Sequence, residues 1–388
     1  MKKLLIVNNI PTPYRTFMYN TLYNKGKEYD VDVHVAFQAR REARRPWKPE
    51  DFNMRFPHFI SNGVFKKRSK AKEFFNRSTL NLDILSQIKS GEYDYILMPP
   101  SMSVNNWIAS VLPAGKSLKL LYSEANRTSL NLDYLPVRIF RRLLYSQFDA
   151  SICPGHRAFE LIGYIAPSMK AKPVIWLPNI IDSSLFITDA RTLRNNKEKI
   201  RTQLNLPNNQ LIIIGVGTVK SKGSHLVLNA AASIPGNYKI LFLGDSPQTT
   251  ELEKQIKNLK LEEKISLTGQ KPEDEVVKYL AAADWFIHPA LHDPSPLACI
   301  EAVSAGLPMA VSKQTGNAPE TVEENINGFT FDPTNPQEMK DCLRRILDAP
   351  VEECKKMESA SRELADKRFD PNKVSSAFFE GILKIKKS

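Results

Sequence analysis

Uninterrupted apolar runs are short throughout this 388-residue chain, and none approaches the roughly 18 residues that a spanning helix requires, so no transmembrane segment is expected. The N-terminus, MKKLLIVNNIPTP, offers four consecutive apolar residues before Asn8, too few for the core of a secretory leader, and reads as a first strand. Cysteine is sparse as well. Cys153, Cys299, Cys342 and Cys354 form no C-x-x-C pair and no metal-ligand spacing, which excludes a disulfide scaffold and favours a reducing compartment, with the cytoplasm as the simplest location. Internal repeats and low-complexity tracts are missing, so repeat architectures drop out.

The chain is too long for one small core and fits two α/β domains of ordinary size. Apolar runs alternate with helical patterns, which implies parallel sheets covered by helices on both faces. In the first half the strands fall near 4–8, 31–37, 95–98, 118–122, 149–152 and 174–177; in the second, near 211–216, 239–243, 265–268, 284–288 and 309–312. The chain is expected to divide into residues 1–182 and 183–370. PNIIDSSLF (178–186) leads out of the first half into a charged helix at 191–204, the expected hinge.

Charge is lopsided. Residues 1–180 carry 27 Lys and Arg against 14 Asp and Glu, which leaves 27 against 28 for the rest. The excess concentrates in ARREARRPWK (39–48) and FKKRSKAK (65–72), with Trp47, Phe52, Phe56 and Phe65 interleaved. Such a surface suits an anionic membrane face, and it equally suits a solvated loop without a partner. Nucleic acid would be attracted by the same charge.

The most informative stretch is HPALHDPSPLACIEAVSAGLP (288–308). Ser295 and Pro296 form the N-cap and first-position pair that signals a helix, and Gly306 and Pro308 mark its end. Its free N–H groups would face whatever lies beyond the preceding strand, which suits a phosphate. Asp293 lies just before the cap and Glu301 about one and a half turns into the helix. Carboxylates accept hydrogen bonds from vicinal diols, so a nucleotide sugar satisfies phosphate and hydroxyl sites together. Taken singly, each acid also reads as a solvated cap.

A second constellation is IIIGVGTVKSKGSHLVLNAA (212–231): a β-branched run, then a loop with glycines and Lys220 and Lys222, then a helix expected to be capped by Ser224. The spacing fits neither G-x-G-x-x-G nor a Walker loop. A strand, loop and helix of this kind suit a pyrophosphate, and Lys222 beside Gly223 is the better candidate for a cation on it, with Lys220 in reserve. Asp30-Val31-Asp32 has the D-x-D form of a metal site but precedes its strand, so it reads as a turn. No metal or other cofactor is expected.

The segment 288–301 resembles the E-x-F-G-x-x-x-x-E signature of the retaining GT-B glycosyltransferases of family 4, and the likeness continues through AVSAGLPMAVS (302–312) and TGNAPETV (315–322). It is specific over most of 205–340 and weaker over 1–180, where NNIPTPYRTFMYNTL (8–22) and PNIID (178–182) carry it. It implies two Rossmann-like doubly wound parallel-sheet domains with an interdomain cleft, the first binding acceptor and the second donor, and a final helix, 372–387, crossing back to the first. Glu301 would hold the donor ribose and Asp293 the transferred sugar, while the amides near Leu297 and Ala298 face the distal phosphate. GQKP (269–272) resembles the base-contacting turn, so Gln270 and Lys271 would read a uracil, although a surface turn without a ligand fits that piece almost as well. The sequence departs from the pattern in three places. Asp293 replaces Glu, Ser295-Pro296 replaces Phe-Gly, and Gly217 or Thr218 stands where an Arg is usual, so that Arg15 or Lys220 would have to supply the second cation.

Ligands of open α/β sheets bind beyond the carboxyl ends of strands. In the first domain those positions hold Tyr14 and Arg15, after strand one, and Glu124, Asn126 and Arg127 in SEANRT (123–128). Glu124 is placed to orient the acceptor hydroxyl or act as base, and equally to form a buried salt bridge with Arg127 or Arg15. His156 reads as a helix start. The expected function is transfer of a sugar, with retention, from a nucleotide diphosphate sugar, UDP-linked on the resemblance, to a saccharide or lipid-linked acceptor in glycan biosynthesis. The enzyme would be cytoplasmic and peripheral to the membrane, without a nucleic-acid partner. The alternatives are a sugar-nucleotide epimerase of the same fold and a non-catalytic nucleotide-sugar or polyanion-binding module.

Overall fold

Strands buried on both faces read as continuous rather than alternating apolar runs, and the runs in this chain become parallel strands of that kind. The computed structural model describes residues 1–42, 50, 52–61, 63, 75, 77–100, 103–127 and 134–386. It divides into two compact units, Met1–Ile180 with Pro371–Ser388, and Ile181–Asp370.

In the first unit the strands are β1 (Lys2–Asn8), β2 (Val31–Phe37), β3 (His58–Ile60), β4 (Tyr95–Met98), β5 (Leu118–Tyr122), β6 (Ala150–Cys153) and β7 (Val174–Trp176). They form one sheet in the order β3-β2-β1-β4-β5-β6-β7, with every pairing parallel. Alternate residues of β1 feed the two faces. Leu4 and Ile6 join Val33, Leu120 and Ile152 in one apolar cluster, and Leu5 and Val7 join Ile96, Leu121 and Leu161 in the other. The helix Pro371–Lys384 completes the first of these clusters with Phe378, Phe379 and Ile382, and Phe379 stacks on Tyr29 at 5.6 Å between ring centroids.

The second unit contains β8 (Leu211–Val216), β9 (Tyr238–Leu243), β10 (Ile265–Gly269), β11 (Trp285–His288), β12 (Met309–Ser312) and β13 (Gly328–Phe331). Their order is β10-β9-β8-β11-β12-β13, again wholly parallel. Ile212 and Ile214 point into one cluster and Ile213 into the other, as a strand period of two requires.

Several expectations need correction. Two strands, β3 and β13, were not foreseen; both are short and lie at sheet edges. The charged helix expected over 191–204 is broken at Asn195 and Asn196 into Ala190–Arg194 and Lys197–Gln203, preceded by a π-helical turn at Ser184–Asp189. The break serves packing: Arg194 donates to the Leu280 and Ala283 carbonyls at 3.1 and 2.8 Å, and Arg201 donates to the Ala282 carbonyl at 2.9 Å. Each half can then aim its own arginine at the end of the helix Glu273–Ala282. Most of the two basic stretches, including Trp47 and Phe65, lies outside the described residues, whereas Phe56 is buried in the first unit and packs edge-on against Tyr19 at 5.8 Å. No helix among the described residues is long and apolar enough to cross a membrane.

Candidate functional site

In the second unit the strand order reverses between β8 and β11, with β9 and β10 to one side and β12 and β13 to the other. This is the topological switch point, where the loops leaving two neighbouring strands diverge and open a crevice beyond their carboxyl ends. The loops are the two that the sequence singles out. Leu291 and His292 donate their N–H groups to the Ser221 carbonyl at 2.8 and 3.1 Å, which ties the β11 loop to the β8 loop.

The β8 loop turns through Lys220–Lys222 as a short 3-10 turn and enters the helix Ser224–Ala231 at Gly223, which is left-handed with φ +73°. A methyl group on Gly223 would lie 1.9 Å from the Pro289 carbonyl oxygen, so backbone approach and positive φ both demand glycine here. Gly223→Ala is expected to destabilise the second unit by about 2–4 kcal/mol, the sum of a left-handed penalty and overpacking, read as a lower denaturation midpoint. Ser224 therefore does not cap the helix. It is the first helical residue, with its hydroxyl buried and without a hydrogen-bond partner.

The β11 loop brings Asp293 to Lys222. The ammonium and the carboxylate Oδ2 form an ion pair, and His288 Nε2 meets the same oxygen at 3.1 Å. Asp293 and His288 are both buried. Burial alone would raise the Asp293 pKa, but the His288 bond and the Lys222 charge outweigh it and hold the carboxyl below its usual range. Burial dominates for His288 and pushes the imidazole below its ordinary value, so it is neutral at pH 7. An ionised carboxylate only accepts, which assigns the proton to Nε2 and leaves Nδ1 as a bare lone pair; that atom is buried without a partner. Sequence reasoning missed His288 as a site residue. The available signal was a histidine closing a strand five residues before the acid.

The helix after this loop runs Leu297–Ser304. Its N-cap is Pro296 and not Ser295, one residue later than expected. Asn317 Nδ2 donates to the Pro296 carbonyl at 2.9 Å, and Asp293 pairs as a parallel bridge with Thr315, so the chain stays extended through the position where a serine cap would turn it. Leu297 and Ala298 form the first turn, whose N–H groups have no acceptor within the helix.

Glu301 is half-buried on that helix, and burial together with the Glu273 carboxylate pushes its pKa up to about 8. The buried Cys299 thiol is pushed up mainly by burial, with smaller influences from Asp293, Lys222 and Glu301. A carboxyl raised on folding lowers stability as pH climbs from its unfolded value to its folded one, because only the unfolded chain ionises in that window. Glu301→Gln should therefore melt higher than the parent at pH 8 and like the parent near pH 4. Thermal scans across that range measure the difference.

The other positions expected on the donor side are less concentrated. Gly217 has φ +103°, and a Cβ there would lie 2.8 Å from Lys222 Cγ, so it makes room for the Lys222 stem. Thr218 is buried and its hydroxyl meets those of Ser246 and Thr249 at 3.0 Å each. Lys220 is exposed, with its N–H donated to Gln248 Oε1 at 2.6 Å. Gln270 is exposed in the turn after β10, and Lys271 pairs with Glu275 at 3.4 Å. Among the described residues no group of three or more His, Cys, Asp or Glu side chains is arranged to hold a metal.

The first unit carries a separate polar cluster beyond β1, β5 and β7. Arg15 is buried, with Nη2 on Glu124 Oε2 at 2.7 Å and Nη1 donated to the Tyr122 hydroxyl at 2.8 Å and to Asn179 Oδ1 at 3.2 Å. Asn179 Nδ2 completes the ring on Glu124 Oε1 at 2.9 Å. Of the two partners open to Glu124, the structure pairs it with Arg15; Arg127 instead lies over the Tyr164 ring at 4.7 Å. Tyr14 flanks the Arg15 guanidinium at 5.3 Å, and Asn126 is buried nearby in sequence. His156 begins the helix His156–Ile165 and packs against Trp176.

Residues 196–364 match the family model for glycosyl transferases group 1. This segment is a group 1 glycosyltransferase domain. Lys222, Asp293 and Glu301 fall inside the group 1 domain, and the Arg15–Glu124 cluster falls outside it. Relatives include the 2-deoxystreptamine glucosyltransferase of Streptomyces kanamyceticus, 26% identical over 174 residues covering 44% of this chain and 45% of that protein. Another is the lipopolysaccharide glucosyltransferase WaaG of Escherichia coli, 24% identical over 157 residues covering 39% and 41%. The chain thus spans less than half the length of these relatives. Structural likeness extends further. HepE of Anabaena in complex with UDP and glucose superposes with a TM-score of 0.72 at 19% identity, covering 99% of this chain and 100% of that one. The WaaG structure gives a TM-score of 0.65 at 14% identity, covering 98% and 99%. The fold of the chain, two parallel-sheet α/β units, is accordingly GT-B.

Proposed function

We propose that the chain transfers a sugar, with retention at the anomeric carbon, from a nucleotide diphosphate sugar to a saccharide or lipid-linked acceptor in glycan biosynthesis. The observation that carries this reading is the meeting of Lys222 and Asp293 at the β8/β11 switch point, beside the first turn of Leu297–Ser304, inside a group 1 domain. In the reaction the bond from the anomeric carbon to the diphosphate breaks, and negative charge grows on the departing phosphate. Lys222 and the helix N-terminus stabilise that charge. His288 holds Asp293 through Oδ2, which presents Oδ1 to a hydroxyl of the transferred sugar. Glu301, protonated near neutrality and on the same helix, faces the ribose. The acceptor oxygen attacks from the side the diphosphate leaves and gives up its proton to the departing phosphate.

A uracil base is supported by the likeness to a protein crystallised with UDP and glucose. The Glu124–Arg15 cluster of the first unit then serves the acceptor side, with Glu124 oriented by Arg15. The reaction needs no metal in this scheme, and its location would be the cytoplasm at a membrane face. The test is a panel of UDP-, GDP- and ADP-sugars with oligosaccharide or lipid-linked acceptors, followed by NMR of the new anomeric centre. An α-linked product from an α-linked donor supports the reading. Inverted products, epimerised donor without transfer, or turnover unchanged in Asp293→Asn would overturn it.

A further inference from the structure

A helix laid on a sheet normally turns its apolar stripe inward and its charges outward. The helix Leu135–Tyr145 of the first unit, LPVRIFRRLLY, keeps only part of that rule. Leu144 and Tyr145 are buried, yet Leu135, Ile139 and Leu143 form an outward row at i, i+4 and i+8 with exposures of 52%, 51% and 60%. Phe140 flanks the row, and Trp107 of the neighbouring helix Val104–Val111 meets it edge-on at 5.2 Å, followed one turn later by the exposed Val111. Six large apolar side chains therefore share one face of the unit without a covering element among the described residues.

The border of that face is cationic. Arg142 is exposed beside Leu143, and Arg138 donates to the Tyr164 hydroxyl at 3.0 Å while Arg127 lies over the same ring. The helix itself carries three arginines and no acid. Exposed Tyr134 and Tyr164 complete a mixture of aliphatic tips, aromatic rings and guanidinium groups.

We propose that this face docks on an anionic lipid bilayer, with Leu135, Ile139 and Leu143 entering the acyl boundary and the arginines and tyrosines at headgroup depth. The charge decides between occupants. A second copy of the chain would set Arg138 and Arg142 against their own kind, whereas a bilayer of anionic headgroups supplies the missing countercharge to a half that carries 27 basic against 14 acidic residues. The docking face lies within the first unit. It does not depend on donor chemistry, so its failure would leave the transferase reading standing.

The experiment is cosedimentation of the full chain with vesicles of mixed phosphatidylglycerol and phosphatidylcholine, without nucleotide. The parent should pellet with them, and the double substitution Ile139→Ser with Leu143→Ser should lower the partition coefficient by about tenfold or more. Pure phosphatidylcholine should weaken binding by roughly fivefold for each arginine engaged. Brominated acyl chains should quench part of the parent's tryptophan fluorescence, and Trp107→Phe should abolish that part; this arm holds even if the double variant folds poorly. Equal partitioning of parent and double variant, quenching unaffected by Trp107→Phe, or a soluble dimer dissolved by the double substitution with no vesicle binding would each overturn the proposal.

Discussion

Replacing Lys222 with alanine is expected to lower kcat for sugar transfer by about 10²–10³, the usual cost of removing one preorganised stabiliser of leaving-group charge. The loss should fall on kcat more than on KM, because the ammonium acts on charge that grows only as the glycosidic bond breaks. Lys222→Arg should recover part of the rate, since the guanidinium keeps the charge but not the point geometry. Asp293→Asn should cost a comparable factor, and the double variant should fall well short of the product of the two, because the residues share one ion pair. Steady-state kinetics on the four proteins, with an active donor from the panel, measures the coupling. Independent, multiplicative losses would contradict a shared site.

The largest effect on stability should come from Asp284. Its carboxylate accepts from Arg201 Nη2 at 2.6 Å, Lys197 Nζ at 2.9 Å and the Ile212 N–H at 2.7 Å, and so joins the start of β8 to the broken helix pair. Arg201 is buried, and truncation of the acid strands its charge. Asp284→Ala should cost about 3–5 kcal/mol, the range for removing one partner of a buried ion pair. Burial raises the Asp284 pKa, but Lys197, Arg201 and the Ile212 N–H together outweigh it and leave the group below its usual value. A carboxyl depressed on folding contributes stability above its unfolded pKa and loses it as pH falls through the folded one. The parent should therefore destabilise as pH drops below about 4, and the alanine variant should show a shallower decline. Urea melts at several pH values, followed through buried Trp285 of the same unit, would show both.

Much of this architecture was legible from residue patterns, and the failures have local causes. Runs such as Ile212–Ile214 leave little choice, because three β-branched residues in succession suit a strand covered on both faces. The strands β3 and β13 escaped because three or four residues at a sheet edge carry too little apolar signal, and β13 opens on Gly328, whose Cβ would lie 1.9 Å from the Met309 carbonyl oxygen. Cap rules misplaced two helix starts by one residue. At Ser224 the left-handed Gly223 takes the cap position, and at Ser295 the Asn317 bond to Pro296 keeps the chain extended. Those are tertiary effects that no window of neighbouring residues contains. The same holds for the site. Lys222 and Asp293 were individually visible, but their contact depends on β8 and β11 being neighbours, and His288 became visible only once its ring nitrogen met the carboxylate.

The helix Pro371–Lys384 has a consequence for how the molecule is made. Its phenylalanines complete a core begun by β1, so everything from Ile181 to Asp370 is, in topological terms, an insertion within the first unit. A ribosome delivers the inserted unit whole before it delivers Phe378 and Phe379. The later segment can therefore finish folding first, while the earlier one waits with an apolar socket open along β1 and β2. During that interval the nascent chain is most exposed to chaperones and to misassociation.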